Sequence, residues 1–388
     1  MRLLESASRT MMAAAVSAGA GLVVTSAPAS AAAAGAVISV EAQADGWRGM
    51  SGGSVVEYWM AGSDGAPRRA SGAMFVPAGV APAAGWPIMA VDHGSTGLGA
   101  GCGGQSNPQG YPFPGAQAQE DKIIGRLLSK GFAVVAPDLL GLGRFDTGPH
   151  PYLETRTEAT ATIDLVRAAR EARSDLSRTW GVVGVSQGGH AALGTGHLQA
   201  GYAPDLDFRG TIAADPASDV EKVLPVAGPA VPDLPGLDGV DGFVVSILAG
   251  MRAARPDLDI DSYLSPRGRE VVDGANGKCL DTIIEEMDGI GVGDLLARPL
   301  SDDRFRAALA DYMALPTNGY DAPILLLLNA ADTVVPSPLH AALAAQFAAN
   351  GVDFQAVPGV GGHGQLDSRM WAAIDAFLDR IQSTPTQR

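Results

Sequence analysis

The chain has 388 residues, 46% of them hydrophobic, with 42 acidic against 27 basic side chains and a formal charge of −15 at pH 7. That length supports a large core, and one catalytic domain with an insertion is the simplest organisation. The acidic balance argues against nucleic acid and against anionic membrane surfaces as partners, while 50 Gly and 26 Pro point to a loop-rich globular enzyme rather than a long-helix protein.

Arg2 and Arg9 open the chain, Met11 to Val24 form an apolar stretch, and Ala29-Ser30-Ala31 supplies small residues around a cleavage site. The pattern reads as a secretory signal peptide over residues 1–31, cut near Ala31. A retained anchor is the alternative, although the stretch is short and Ala/Gly-rich for a membrane span, so no stable membrane insertion is expected. Outside the cell, or in its envelope, the two cysteines, Cys102 and Cys279, imply one disulfide rather than two buried thiols. Two cysteines alone do not make a structural zinc site.

SVVEYWMAG and SGAMFVPAG have the alternation of antiparallel strands. WPIMAVD and GFAVVAP are continuous apolar runs that end in Gly-rich loops, as strands buried on both faces do. Residues 157–173 carry Ala159, Ile163, Val166 and Ala169 at helical spacing. TWGVVGV is a further buried strand, and QGGHAALGTGHLQ opens a helix directly after it. FRGTIAADP and ILLLLNAAD are strands, HAALAAQFAANG a helix, VDFQAVPG a strand and MWAAIDAFLDRIQ the closing helix. Such alternation predicts a mostly parallel sheet with helices on both faces, assigned to residues 32–216 and 321–388. Residues 217–320 break the rhythm. They are rich in Pro, Asp and Gly, with helical pieces such as GFVVSILAGMRAA and CLDTIIEEM, and predict a helical cap inserted between two strands. Within it, Leu234, Leu237, Phe243, Val244, Ile247 and Met251 are candidates either for an acyl tunnel or for the cap's own small core.

Gly184-Val185-Ser186-Gln187-Gly188 lies between the strand TWGVVGV and its helix. A nucleophile on so sharp a turn has strained backbone angles, and side chains two residues to either side would collide with the neighbouring strand and helix. Ser186 is therefore the candidate nucleophile. It needs a base and an orienting acid, supplied later in the chain in the order Ser, acid, His. His363, in a Gly-rich loop after the strand VDFQAVPG, is the candidate base. Asp332, leaving the strand ILLLLN, is the candidate acid, with Asp215 as its rival, and Asp367 stands too near His363 in sequence. His190 is expected to point away from the site. His197 and His340 read as surface or packing residues on helices, His150 as structural and His93 as part of the loop after WPIMAVD. Backbone N–H groups of Gln187 and of Ser95, with Gly94 close behind, are the candidate oxyanion donors. This chemistry requires no metal and no cofactor.

Taken together, DHGSTG, APDLLGLG, HPYL, GVSQGGHAAL, NAADTVVP and GGHG resemble the α/β-hydrolase superfamily and, within it, the secretory lipase family of bacteria and fungi. The resemblance covers most of residues 85–380. It implies Ser186, Asp332 and His363 as the triad, a cap over an acyl pocket, and hydrolysis of a small-molecule, lipid or polymer ester. After Cys102 the chain has GGQS where many relatives have Ala-Pro-Ser, a difference at the mouth of the site. Serine peptidases of the prolyl-oligopeptidase type use the same residues but carry a long N-terminal propeller, for which residues 32–84 leave no room. Polyester hydrolysis and acyl transfer are compatible with the same triad. A non-catalytic relative would be expected to lack one of its members, and none is missing. A neutral imidazole base predicts activity that falls below about pH 6.

Overall fold

The central strands are buried almost throughout, and the alternating direction of their side chains decides which helices cover which face. The computed structural model describes residues 33–384 apart from 45, 51, 111–112 and 233–237, so the proposed leader and the pair Leu234 and Leu237 lie outside the described residues. The described residues belong to one compact unit.

In chain order the strands β1 (Val37–Gln43), β2 (Gly53–Ala61), β3 (Pro67–Phe75) and β4 (Trp86–Asp92) come first. Next are α1 (Pro114–Ser129), β5 (Ala133–Pro137), α2 (Thr155–Ala172), β6 (Leu176–Val185), α3 (Gln187–Tyr202) and β7 (Asp207–Ala214). The insert supplies α4 (Val220–Val223), α5 (Asp238–Ala254), α6 (Pro266–Ala275), α7 (Leu280–Glu286), α8 (Val292–Leu295) and α9 (Asp303–Met313). The chain closes with β8 (Ile324–Asn329), α10 (Ser337–Ala349), β9 (Phe354–Gly359) and α11 (Ser368–Ser383).

The strands form one sheet in the order β1-β2-β3-β5-β4-β6-β7-β8-β9. Pairing is antiparallel from β1 to β5 and parallel from there to β9. This is the α/β-hydrolase arrangement that the alternating elements predict. Val56, Tyr58, Ile88 and Ala90 pack with Ile163 and Val166 of α2 and Ala192 of α3. Their neighbours Val55, Met89 and Val91 face the other way, onto Ile124 and Leu127 of α1 and Ile374 and Leu378 of α11. Because side chains alternate across a strand, one apolar run furnishes both cores.

The winding reverses at β4, which has β5 on one side and β6 on the other. Beyond the C-terminal ends of β4 and β6 the following loops diverge and leave a crevice, the usual ligand position in an open α/β sheet. Gly94 and Ser95 follow β4, and Ser186 follows β6.

Residues 217–320 contain helices and no strand among the described residues. They pack into one cluster, with Val245, Leu248 and Met251 of α5 against Val272, Ile283 and Leu309, which also takes in Leu98, Tyr152, Leu153 and Val335 from outside the insert. The start of α7 is tied to the loop after β4. Cys102 and Cys279 form a disulfide across 177 positions, and Gly97 bridges Cys279 in antiparallel fashion. The Leu98 N–H donates to Lys278 O and the Leu280 N–H to Thr96 O, each at 2.9 Å. Gly97 has φ 139°, and a Cβ there would stand 2.6 Å from Cys279 Cα, so this approach requires glycine. On the chain-entropy model such a long closed loop contributes about 5 kcal/mol.

Several elements escape the sequence reading, among them β1, α1 and, in the insert, α4, α6, α8 and α9. β1 is an edge strand with little burial to mark it. α1 buries only Glu120, Ile123, Ile124 and Leu127, and α9 buries Phe305, Ala308, Leu309, Tyr312 and Met313 within a segment otherwise dense in charge.

Candidate active site

Ser186 has φ 60° and ψ −120°, a conformation that costs an L-residue on the order of 1–3 kcal/mol. Its surroundings leave no alternative. A Cβ on Gly184 would stand 2.0 Å from Gly188 O, and one on Gly188 would stand 1.9 Å from Asp92 O at the end of β4. The Ser186 N–H donates to Ala214 O at 2.9 Å, which ties the turn to β7. Ser186 itself is partly exposed and stands at the N-terminus of α3, where the helix dipole favours negative charge.

Gln187 opens α3, so its N–H has no intrahelical acceptor. Gly94 lies alongside the serine, since a Cβ there would be 3.9 Å from Ser186 Cβ. Ser95 is next in the same loop, and its Oγ shares a hydrogen bond of 2.7 Å with the Tyr152 hydroxyl. The two loops that carry the candidate oxyanion donors thus meet around Ser186.

Asp332 and His363 are brought together. His363 Nδ1 donates to Asp332 Oδ2 at 2.7 Å. The other carboxylate oxygen accepts the N–H groups of Val334 at 2.9 Å and Val335 at 3.0 Å. Burial alone would raise this carboxyl, but hydrogen bonds from His340 and His363 and from the Val335 N–H outweigh it and hold Asp332 well below the usual carboxylate range. His363 Nε2 is buried without a hydrogen-bond partner among the described residues, and the structure does not bond it to Ser186 Oγ. The loop that carries it packs beside the nucleophile, because a Cβ on Gly364 would lie 3.1 Å from the side chain of Val185.

Asp215, the rival acid, is fully buried and does a different job. Its carboxylate accepts the Gly364 N–H at 2.8 Å, and the Asn329 N–H and amide each at 2.7 Å. It therefore grips the backbone next to His363 rather than the imidazole. Asp367 caps α11.

His340 corrects the sequence reading. It lies on α10 as expected, but it is 1% exposed, and its Nε2 donates to Asp332 Oδ2 at 3.0 Å. The signal was available in principle: a histidine in the first turn of a helix that starts just after the acid folds back over it. Asp215, Asp332 and His340 hold ligand atoms within 4.8 Å of one another, close enough for a metal ion. Hydrogen bonds from Gly364, Asn329, Val334, Val335 and His363 already engage those carboxylates.

Behind the elbow, Gln187 is buried and its amide donates to His150 Nε2 at 2.7 Å and to Glu158 Oε1 at 2.8 Å. Burial pushes the His150 imidazole down to about 3, and its Nδ1 donates to Leu140 O at 2.7 Å. His190 points away from the site, as expected, onto Glu158 Oε2 at 2.6 Å and Met313 O at 2.8 Å. His197 packs on Tyr320, and His93 bonds Gly94 O and Asp138 O.

Ser186 opens onto a cavity of about 450 Å³. Apart from Ser186, Thr333 and the Tyr152 hydroxyl, the lining is hydrocarbon, with Phe243, Val244 and Ile247 contributed by α5. Met251, four residues on, is instead fully buried in the insert's core. Of the six apolar candidates in the insert, Phe243, Val244 and Ile247 line the pocket, Met251 lies in the core, and Leu234 and Leu237 lie outside the described residues. Among the described residues no helix is long and apolar enough to cross a membrane.

The sequence profile of the secretory lipase family matches residues 111–387. No curated protein matches the chain. Among solved structures, Candida antarctica lipase A superposes with a TM-score of 0.73 at 20% identity, over 92% of this chain and 84% of that one. The rice cell wall degrading esterase LipA from Xanthomonas oryzae gives 0.68 at 21% identity, over 90% and 97%. At such identities the structural likeness carries the fold, and the profile match carries the kinship. The chain belongs to the secretory lipase family and is an ester hydrolase of the lipase and esterase kind on an α/β-hydrolase fold.

Proposed function

We propose that Ser186, His363 and Asp332 are a catalytic triad that hydrolyses carboxylic esters through an acyl-enzyme. One observation carries this reading. His363 commits Nδ1 to Asp332, while Nε2 is buried without a described partner on a loop packed beside the strained serine. Ser186 Oγ attacks the ester carbonyl as its proton passes to His363 Nε2, and Asp332 holds the resulting imidazolium. The tetrahedral oxyanion takes the Gln187 N–H and a second N–H from Ser95 or Gly94, each donor contributing about 3 kcal/mol to the transition state. Collapse breaks the bond to the leaving alcohol, which takes the proton from His363. Water then repeats the sequence on the acyl-enzyme and releases the acid.

The apolar cavity fits an acyl chain, and its lack of charged lining favours esters over peptides with polar side chains. Residues 217–320 act as the cap over that chain, set on a catalytic domain of residues 32–216 and 321–388. Residues 1–31 act as an export signal removed near Ala31, consistent with the disulfide; N-terminal sequencing of the exported protein tests the cut.

The triad is tested with p-nitrophenyl butyrate. Ser186→Ala should lose about 10⁴-fold or more in kcat; activity equal to that of the wild type ends the reading. A chain-length series of p-nitrophenyl esters, followed by emulsified triglyceride and a polyester film, then ranks the substrates. Cleavage of fluorogenic peptides in preference to all of these would replace the esterase assignment by a peptidase.

A further inference from the structure

Asp332 Oδ2 accepts two imidazole N–H groups, one from His363 Nδ1 at 2.7 Å and one from His340 Nε2 at 3.0 Å. A single lone-pair pattern on a single oxygen therefore sets both rings. His340 occupies the first turn of α10, and its Nε2 also lies 3.7 Å from Asp215 Oδ1. Both carboxylates near this ring serve the same loop, since Asp332 holds the His363 ring and Asp215 holds the Gly364 N–H. His340 Nδ1 is buried without a hydrogen-bond partner among the described residues. A ring placed only for packing has no reason to point one nitrogen at the acid and leave the other orphaned, because an unpaired buried polar atom costs about 1–3 kcal/mol.

We propose that His340 is a positioning residue: its Nε2–H locks the Asp332 carboxylate in the orientation that aims His363, and it draws electron density from the oxygen that His363 uses. This rests on the triad reading above. His340 is not among the side chains that line the pocket, and its hydrogen bond runs to Asp332, so it acts through that carboxylate. Among the described residues the titratable groups facing it are Asp332 and Asp215, from the ends of β8 and β7. Asp219 and Lys222 pair with each other and with Gln346 farther along α10.

Two consequences separate this role from packing. Without the N–H the carboxylate is freer to turn, so kcat should fall about tenfold. The carboxylate that remains is also the stronger acceptor, so it favours the imidazolium form of its partner. The acid limb of kcat/KM should then move to higher pH by about half a unit. His340→Phe keeps the ring volume and removes the N–H, whereas His340→Gln restores an N–H near Nε2. The test measures kcat, the kcat/KM pH profile and Tm for both variants beside the wild type, Ser186→Ala and His363→Ala. The proposal expects His340→Phe to show the tenfold loss and the shifted limb, and His340→Gln to recover most of both. It is overturned if His340→Phe matches the wild type, or if both variants lose activity equally with an unmoved limb. If His340→Phe does not fold, His340→Gln with lowered activity and an unmoved limb overturns it equally. Should Ser186→Ala and His363→Ala stay active, the triad reading fails instead, and that outcome is distinct from either result at His340.

Discussion

The elbow at Ser186 and the loop at His363 pack side by side, through Val185 and Gly364, but are held by different physics. The elbow is fixed by contact: glycines at 184 and 188 sit where a single added carbon would fall about 2 Å from a backbone carbonyl. The His363 loop is fixed by hydrogen bonds that converge from Asp215, Asn329 and Asp332. A steric requirement has to be met by the nearest residues, so it is written beside the serine as a compact pattern. A hydrogen-bonding requirement is met by any donor or acceptor that the fold brings near, and here Asp215 reaches Gly364 across 149 positions.

The sharpest way to break the comparison is at Gly188. The Asp92 carbonyl that an added Cβ would meet closes β4 and has no room to retreat. Gly188→Ala should therefore cost about 3 kcal/mol or more in urea denaturation and abolish ester hydrolysis. A Gly188→Ala protein with wild-type stability and activity would mean that the elbow is not sterically fixed. The equivalent blow to the other region is Asp215→Asn, which preserves shape and removes charge. One of its three accepted N–H groups must then face an amide NH₂, so about 2 kcal/mol of stability should go. Because Asn329, which also holds the Gln365 carbonyl of the His363 loop, loses a partner whichever way the new amide turns, kcat on p-nitrophenyl butyrate should fall roughly tenfold with KM little changed. Equal kcat would show that Asp215 serves stability alone.

The same contrast explains what was legible in the sequence. The continuous apolar runs between helical segments pointed to the parallel sheet, because strands buried on both faces must be apolar throughout. Ser186 was legible because its glycines are compulsory. Asp332 and His363 were legible from their order after strand ends. His340 was missed because a histidine on a helix carries no local mark of what lies beneath it. Gln187 was read only for its N–H, while its side chain is buried on Glu158 and His150. Buried polar partners of this kind are chosen by three-dimensional neighbours, and neither periodicity nor spacing reports them.

The buried contacts of Gln187 also qualify the steric picture of the elbow, because its anchor is ionic. Glu158 holds the Gln187 amide with one oxygen and His190 with the other. His190 faces acceptors at both nitrogens, the Glu158 carboxylate and Met313 O, so the ring fits as the imidazolium. Burial alone would lower it, but the charge and hydrogen bond of Glu158 outweigh burial and raise His190 above its ordinary 6.5. A raised histidine contributes stability that is fully present below 6.5 and is lost as pH rises through its folded value. Asp164, pushed up to about 6 by burial, acts over a lower window, losing its contribution between its ordinary 3.8 and about 6. Above pH 7 the difference between wild type and His190→Gln therefore isolates the imidazolium. Wild-type Tm should slope downward into the alkaline range, and His190→Gln should start lower and slope less. This is the smallest of the expected effects, since activity should follow it only as far as Gln187 loosens. Parallel Tm profiles for the two proteins would place the whole weight of the elbow back on its glycines.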